Sequence, residues 1–407
     1  MKGYEYFTLS NGIRVIHKQD RGKVAHLGVV INTGSRDEDD TEHGIAHFIE
    51  HVIFKGTHKR KAYHVISRLE DVGGEIDAYT TKEETTIYAA FLKEYYSRTI
   101  ELFADILFNS SFPEKELEKE KEVILDEINS YKDSPADLIF DDFEELIFKG
   151  HPIGRNILGE PKSLKKYNRN NLLTFIKNNY HTNQMVICSV GDVKFSVLIK
   201  WVKKYFEGFE ENRRKNRRQV LNGYKASTIE VVKDTYQAHC IMGNRAYSIN
   251  DKKRLPLELL NNILGGPGMN SRLNLALREK HGFTYNIESF YNPYTDTGIV
   301  GIYFGTEQEK VERSLKIINR EIKQLQNKPL GILQLERAKK QLIGQMAIGS
   351  ENRSNLMLTI GRSYLLFDKV DPLDKVYEKI NAITTQQLLE VANEAFDFNK
   401  LSMLVYK

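Results

Sequence analysis

The spacing of apolar residues along the chain predicts strands followed by helices, and this succession occurs twice. In the first half, strand-like segments lie within 5–34 and 75–92, and helical periodicity continues from 94 to 179. In the second half, strands are predicted between 227 and 305, and a long helical run extends to about 395. At 407 residues the chain exceeds the roughly 250–300 residues at which single cores stop growing. We therefore expect an α+β protein with two similar domains, each an antiparallel-rich sheet covered by helices.

A basic segment at 213–218 marks the predicted boundary between the two domains. It contains no aromatic residue and follows directly after an acidic stretch, which is typical of a solvated linker rather than a nucleic-acid site. We place this basic linker near 210–222. The predicted domains are residues 1–212 and 222–407.

Charge and cysteine content narrow the classes of function. The 59 basic and 55 acidic residues leave a formal net charge of +4, which provides no strong field for nucleic acid. Cys188 and Cys240 lie in strand-like segments without CxxC spacing, so we expect neither a thiolate metal site nor a disulfide framework. No segment approaches ~20 uninterrupted apolar residues, and the N-terminus has no apolar signal core. These features predict a cytoplasmic protein without nucleic-acid or membrane partners.

Residues 47–51 read His-Phe-Ile-Glu-His within a segment predicted to be helical. Residues four apart share one face of a helix, so His47 and His51 can converge on a single metal ion, with Glu50 beside them. Helical projection places the apolar residues on the opposite face: Ala46, Phe48, Ile49, Val52 and Ile53. A surface helix with solvated histidines is the alternative, but the scarcity of Lys and Arg on this helix favours a cleft.

A catalytic zinc ion takes three protein ligands and keeps one position for water, so a third ligand is required. The acid-rich segment 114–132 is a candidate source. Its helical phase places Glu120 and Glu127 with the apolar residues, where a carboxylate needs a partner such as a metal. Three other acids project away from the apolar residues and are expected to be solvated: Glu118, Glu122 and Asp126.

These residues resemble the inverzincin metallopeptidases, which include pitrilysin, insulysin and the mitochondrial processing peptidase and share the H-x-x-E-H motif. The resemblance covers nearly the whole chain, including 44–57 around the motif and several downstream positions: His151-Pro152, Gly159, Tyr180 and Gly191-Asp192. It implies a short two-domain, bacterial-type member that binds one zinc ion per chain.

The resemblance also assigns roles to the residues around this zinc ion. In the family, the third ligand is a glutamate about 76 residues beyond the second histidine, and 127 − 51 = 76 gives Glu127. The implied metal ligands are thus His47, His51 and Glu127. Glu120 would support the site, and Glu50 would be the general base.

Substrate-binding residues follow from the resemblance as well. Arg278 and Tyr285 match a catalytic Arg/Tyr pair that reaches the bound peptide and orients the scissile carbonyl. Without the resemblance, Arg278 would be interpreted as a surface helix residue. Residues 75–80 resemble the edge strand that pairs with the extended substrate, which makes Asp77 and Ala78 substrate-binding residues. Asp77 replaces the asparagine usual there, and a carboxylate accepts hydrogen bonds but cannot donate them.

The implied function is zinc-dependent endopeptidase activity on peptides or unfolded segments in a closed chamber built from two chains. Longer relatives carry four such domains, so in a two-domain chain the Arg/Tyr pair is expected from a partner. Because both half-sites are present here, a homodimer is expected, with a heterodimer with a related chain as the alternative. Two other functions stay open: a non-catalytic or partner-dependent processing subunit, and a zinc hydrolase with non-peptide substrates.

Overall fold

The computed structural model describes residues 3–214, 218–221, 223–233 and 235–407. Residues 215–217 of the predicted basic linker and Asn222 at its end lie outside the described residues. The strands are β1 (Glu5–Thr8), β2 (Arg14–Gln19), β3 (Val24–Ile31), β4 (Glu75–Thr80), β5 (Thr85–Leu92), β6 (Met185–Gly191), β7 (Thr228–Val231), β8 (Ala238–Ala246), β9 (Ile287–Pro293), β10 (Gly298–Thr306) and β11 (Ser402–Tyr406).

Helices follow the strands in both halves of the chain. They are α1 (Ile45–Val52), α2 (Ala62–Glu70), α3 (Tyr96–Phe108), α4 (Glu114–Lys132), α5 (Pro135–Ile147), α6 (Pro161–Leu164), α7 (Arg169–Asn179), α8 (Phe195–Phe206), α9 (Arg254–Gly265), α10 (Val311–Asn327), α11 (Ile332–Glu351), α12 (Arg353–Phe367), α13 (Leu373–Asn381) and α14 (Thr385–Ala395). Within the described residues, no helix is long and apolar enough to cross a membrane.

The two sheets share one topology. The first has the order β1-β2-β6-β3-β5-β4, and the second has the order β7-β11-β8-β10-β9. The pairs β2–β6 and β7–β11 are parallel, and all other pairs are antiparallel. The strands β2-β6-β3-β5-β4 therefore correspond in order and direction to β7-β11-β8-β10-β9. This confirms the predicted α+β class with two similar, antiparallel-rich sheets.

The compact units of the protein interleave along the chain. The first contains Met1–Asn129, Arg155–Val220 and Ile348–Val370, and the second contains the remaining segments. Thus α12 packs on β3 and β6 of the first sheet, while α5 packs on β8 and β11 of the second. The predicted continuous domains, 1–212 and 222–407, instead assign α5 to the first sheet and α12 to the second. The difference arises because helical periodicity does not show which sheet a helix covers.

The central strands of the first sheet, β3 and β6, are buried on both faces. Neighbouring residues Val29 and Val30 of β3 point to opposite faces, yet both are at most 1 % exposed. One face packs under a cluster that includes α1, α3 and α8, and the other packs under α12. A continuous apolar strand is the expected sequence for such a doubly covered sheet.

Two sequence-based expectations need correction. The long helical run to about 395 is five helices, α10 to α14, because local signals interrupt it: the Asn352 side chain caps α12, and Thr384 begins α14 with a capping box. The basic linker is also not simply solvated. Arg214 and Arg218 both pair with the buried carboxylate of Asp37, and their side chains are largely buried.

Candidate metal centre

Helix α1 begins at a tightly constrained turn. Gly44 has φ +90°, and a Cβ at this position would lie 2.6 Å from the Cα of Gly159, so both the conformation and the packing require glycine. The buried carboxylate of Glu38 accepts hydrogen bonds from the N–H groups of Gly44 and Ala46, both at 2.9 Å. Burial raises the pKa of Glu38 to about 8. Together these contacts fix where the first turn of α1 starts.

The two faces of α1 match the helical projection of its sequence. The five apolar residues predicted for one face are at most 2 % exposed: Ala46, Phe48, Ile49, Val52 and Ile53. His47, Glu50 and His51 share the other face, and the His47 and His51 rings are 4.6 Å apart between centroids. Packing of the apolar face thus fixes α1 so that the two imidazoles lie side by side on the opposite face.

Helix α4 supplies the carboxylates next to these imidazoles. Glu120 is 8 % exposed, and the side chain of Glu127 is 42 % exposed. The acids predicted to be solvated are exposed: Glu118, Glu122 and Asp126. The helical phase read from the sequence therefore separates the acids that turn towards α1 from those that face solvent.

Three donor atoms converge on one point. The Oε2 atom of Glu127 lies 3.3 Å from Nε2 of His51 and 3.7 Å from Nε2 of His47, and one donor atom from each residue lies within 4.8 Å of the others. Ligands about 2.0–2.1 Å from a tetrahedral zinc ion lie roughly 3.3 Å from one another. Two imidazoles and one carboxylate at this spacing fit a zinc ion.

The protonation state of His47 suits metal binding. Burial, together with the neighbouring His51, lowers the pKa of His47 to about 3. A neutral imidazole has a lone pair available for a metal. His47 Nδ1 is buried without a hydrogen-bond partner among the described residues, whereas Nε2 faces Glu127.

Glu120 contacts the ring nitrogen of His51 that points away from Glu127. The Nδ1–H of His51 donates to Oε2 of Glu120 at 3.4 Å, and Nζ of Lys55 lies 2.6 Å from Oε1 of the same carboxylate. A carboxylate on the distal nitrogen fixes the tautomer of a metal-binding histidine and makes it a stronger ligand. Lys55 in turn supplies a positive charge that balances this buried carboxylate.

Glu50 lies on the same face of α1, but the converging group consists of His47, His51 and Glu127. Burial raises the pKa of Glu50, and the carboxylates of Glu127 and Asp77 raise it further, whereas His51 opposes them. A raised pKa brings a carboxylate closer to the range in which a general base both takes and returns a proton near neutral pH.

Comparison with known proteins identifies the family. The profile of Insulinase (Peptidase family M16) matches residues 14–161, and that of the Peptidase M16 inactive domain matches residues 166–342. A Bacillus subtilis relative named uncharacterized zinc protease YmxG is 31% identical over 393 residues, which are 96% of this chain and 95% of that protein. The chain belongs to peptidase family M16. This confirms the family inferred from the H-x-x-E-H motif.

Other relatives also align with this chain over nearly its whole length. The mitochondrial-processing peptidase subunit beta of Caenorhabditis elegans is 30% identical in an alignment of 420 positions, gaps included, that covers 98% of this chain and 88% of that subunit. Among solved structures, a protease from Helicobacter pylori superposes with a TM-score of 0.92 at 22% identity, covering 100% of this chain and 99% of that one. At that identity the likeness shows the fold.

Arg278 and Tyr285 of this M16 chain lie together in the second unit. Arg278 belongs to a π-helical turn, Asn274–Glu279, and Tyr285 lies in the segment that leads to β9. Both line a cavity of about 450 Å³, and Tyr285 is 88 % exposed. The two side chains are thus accessible to a ligand.

Asp77 and Ala78 lie in the middle of β4, the edge strand of the first sheet. The Oδ1 atom of Asp77 accepts a hydrogen bond from the Ala78 N–H at 2.8 Å, and Oδ2 accepts one from the Tyr88 hydroxyl at 2.9 Å. The expectation that residues 75–80 form an edge strand is therefore met in the fold.

Sequence reasoning missed three residues that contact the predicted site. Lys55 follows His51 at a spacing of four, which was a usable signal, although α1 ends before it. Glu38 precedes α1 by seven residues, outside the spacing of a capping box, and Tyr88 meets Asp77 only through strand pairing. The last two carried no local signal.

Proposed function

We propose that this M16 chain is a zinc-dependent endopeptidase that hydrolyses peptides or unfolded segments. The observation that carries the proposal is the convergence of His47, His51 and Glu127 at zinc-ligand spacing, with Glu50 on the same helix face. The names of relatives such as the Bacillus subtilis zinc protease support the same chemistry.

Each side chain then has a distinct role. Zinc, when bound, supplies Lewis-acid polarisation of the peptide carbonyl and acidifies water. Glu50 takes a proton from the attacking water on a carboxylate oxygen and returns it to the leaving amine, and its raised pKa suits this exchange. Glu120 keeps His51 in the tautomer that leaves Nε2 free to bind the metal.

Substrate would bind as an added strand on β4. An extended peptide can pair with the free edge of a sheet through its main chain, which gives affinity with little sequence preference. Ala78 lies on this edge strand, which contacts the motif helix α1. This mode suits unfolded segments rather than folded proteins.

We further propose a homodimer in which Arg278 and Tyr285 of one chain complete the site of the other. Their exposure is compatible with binding a peptide held by a second chain. The Caenorhabditis elegans relative is named as a subunit, which is compatible with pairing of two different chains. A heterodimer with a related chain is therefore the second arrangement to test.

The function is tested with the purified protein and a mixed library of unstructured peptides, read by mass spectrometry. We expect internal cleavage that a chelator abolishes and that added zinc restores. A folded protein should resist, which serves as the control for substrate state. Absence of chelator-sensitive cleavage from the zinc-loaded protein would contradict the proposal and favour a non-catalytic role.

A further inference from the structure

The outward-facing groups of β4 can be identified from its pairing with β5. The turn between the strands closes with the Thr81 N–H donating to the Glu84 carbonyl at 2.8 Å. Hydrogen-bonded and non-hydrogen-bonded pairs alternate along an antiparallel ladder, so Asp77 and Tyr79 direct their backbone groups to β5. The backbone N–H and carbonyl of Ala78 therefore point away from the sheet.

The Asp77 carboxylate accepts a hydrogen bond from the outward-pointing N–H of Ala78. Its Oδ1 atom accepts the Ala78 N–H at 2.8 Å, and its Oδ2 atom is fixed by the hydroxyl of Tyr88, the cross-strand partner on β5, at 2.9 Å. The Asp77 side chain thus links the Tyr88 hydroxyl on β5 to the Ala78 N–H at the free edge of β4. An added strand needs the same N–H as a donor, so it has to displace Asp77 from it.

The charge of Asp77 is not balanced within the described part of the chain. No described Lys, Arg or His side chain forms an ion pair with it, and Asp77 is exposed. Glu75 is exposed on the same face of β4, two residues away. The other face of the strand is different, because Ile76 and Ala78 pack against the apolar core.

An added peptide would place one side chain next to this carboxylate. Side chains of directly opposite residues on neighbouring strands lie on the same face of the sheet, about 5 Å apart. A Lys or Arg opposite Asp77 gains an ion pair there and compensates for displacement of the carboxylate, whereas Asp or Glu is repelled. The next peptide residue on either side faces the apolar side of the sheet.

We propose that Asp77 selects the substrate: it holds the Ala78 N–H in the free enzyme and favours peptides with a basic side chain opposite it. The inference rests on the proposed function, because it requires a peptide that pairs with β4. It adds a residue preference to a binding mode that otherwise reads only the main chain.

Two substitutions separate the effect of the charge from that of the hydrogen bond. Asp77→Asn keeps an acceptor for the Ala78 N–H and removes the charge, whereas Asp77→Ala removes both. The matched control is Glu122→Gln, which removes an exposed carboxylate from the solvent face of α4. Thermal unfolding of each variant shows that the fold is retained.

The substrates are peptides that differ at one scanned position, which carries Lys, Gln or Glu. Wild type should favour Lys over Glu at one position, and Asp77→Asn should reduce that ratio of kcat/KM by about two- to fivefold. With the Gln peptide, Asp77→Ala should lower KM by about two- to tenfold, because the edge N–H is released. Glu122→Gln should behave as wild type.

Binding to the zinc-loaded Glu50→Gln variant, followed by fluorescence anisotropy, gives a readout that does not depend on turnover. There, Asp77→Ala should bind the Gln peptide more tightly by the same factor. An unchanged Lys-to-Glu ratio in Asp77→Asn, or unchanged or weaker binding in Asp77→Ala, would overturn the inference. A wild-type protein that binds peptides with the Lys preference but cleaves none would overturn the proposed function and leave this inference standing.

Discussion

Glu127 and Glu122 lie on the same helix but have different environments. Glu127 reaches the two imidazoles of α1, whereas Glu122 is exposed on the solvent face. Glu127→Gln should weaken zinc binding by more than about 100-fold, since loss of an outer partner alone costs 10–100-fold. Glu122→Gln, the matched control, should bind zinc as wild type does. Competition with a chromophoric chelator measures both, and equal zinc retention would show that Glu127 is not a ligand.

At the scale of single residues, the sequence was informative where the chemistry is local. The spacing of His47 and His51 and the helical phase of Glu120 and Glu127 place four side chains that the structure brings together. Lys55 could have been predicted from the same helical spacing, because it follows His51 by four residues. Tyr88 was not, because its contact with Asp77 depends on the register of two strands rather than on any spacing in the sequence.

At the scale of the element, Glu38 determines how α1 starts. Its carboxylate satisfies two N–H groups of the first turn that are otherwise buried without partners. Glu38→Ala should lower the free energy of unfolding by about 1–3 kcal/mol, the usual cost of unsatisfied buried groups. Because His47 follows Ala46 directly, zinc affinity should fall as well. Denaturant unfolding and zinc titration measure the two effects, with Glu122→Gln again as the control.

If Glu38→Ala has the same free energy of unfolding and the same zinc affinity as wild type, the turn at Gly44 positions α1 without the carboxylate. The glycine contact between Gly44 and Gly159 would then be sufficient.

Elements were predicted well where their signals are short-range. The strand-like segment 75–92 contains β4 and β5, since each strand is bounded by turn residues and alternates or is continuously apolar. The five helices α10 to α14 were merged, because caps such as Thr384 are weak signals inside a periodic run. The packing of α5 and α12 on sheets from the other half is a long-range choice that local patterns do not encode.

At the scale of the whole molecule, the proposed homodimer predicts complementation. Glu50→Gln and Arg278→Ala should each be inactive alone, for different reasons. When they are mixed and allowed to exchange, half of the dimers are mixed and each has one of two sites intact, so about a quarter of wild-type activity should return. Mass measurement confirms the exchange, and a chain with both substitutions is the control.

Persistent inactivity after demonstrated exchange would mean that the site is completed within one chain or that Arg278 has no part in catalysis. Recovery only on addition of a second, related chain would favour the heterodimer.

We propose that His47, His51 and Glu127 hold zinc while Glu50 moves the proton. The most direct measurement is zinc content and peptide turnover in wild type and Glu50→Gln, side by side. We predict one zinc ion per chain in both proteins, and a loss of turnover of about 10²–10⁴-fold or more in the variant, because a general base is removed but no ligand is. Loss of zinc from Glu50→Gln, or turnover equal to that of wild type, would contradict this assignment.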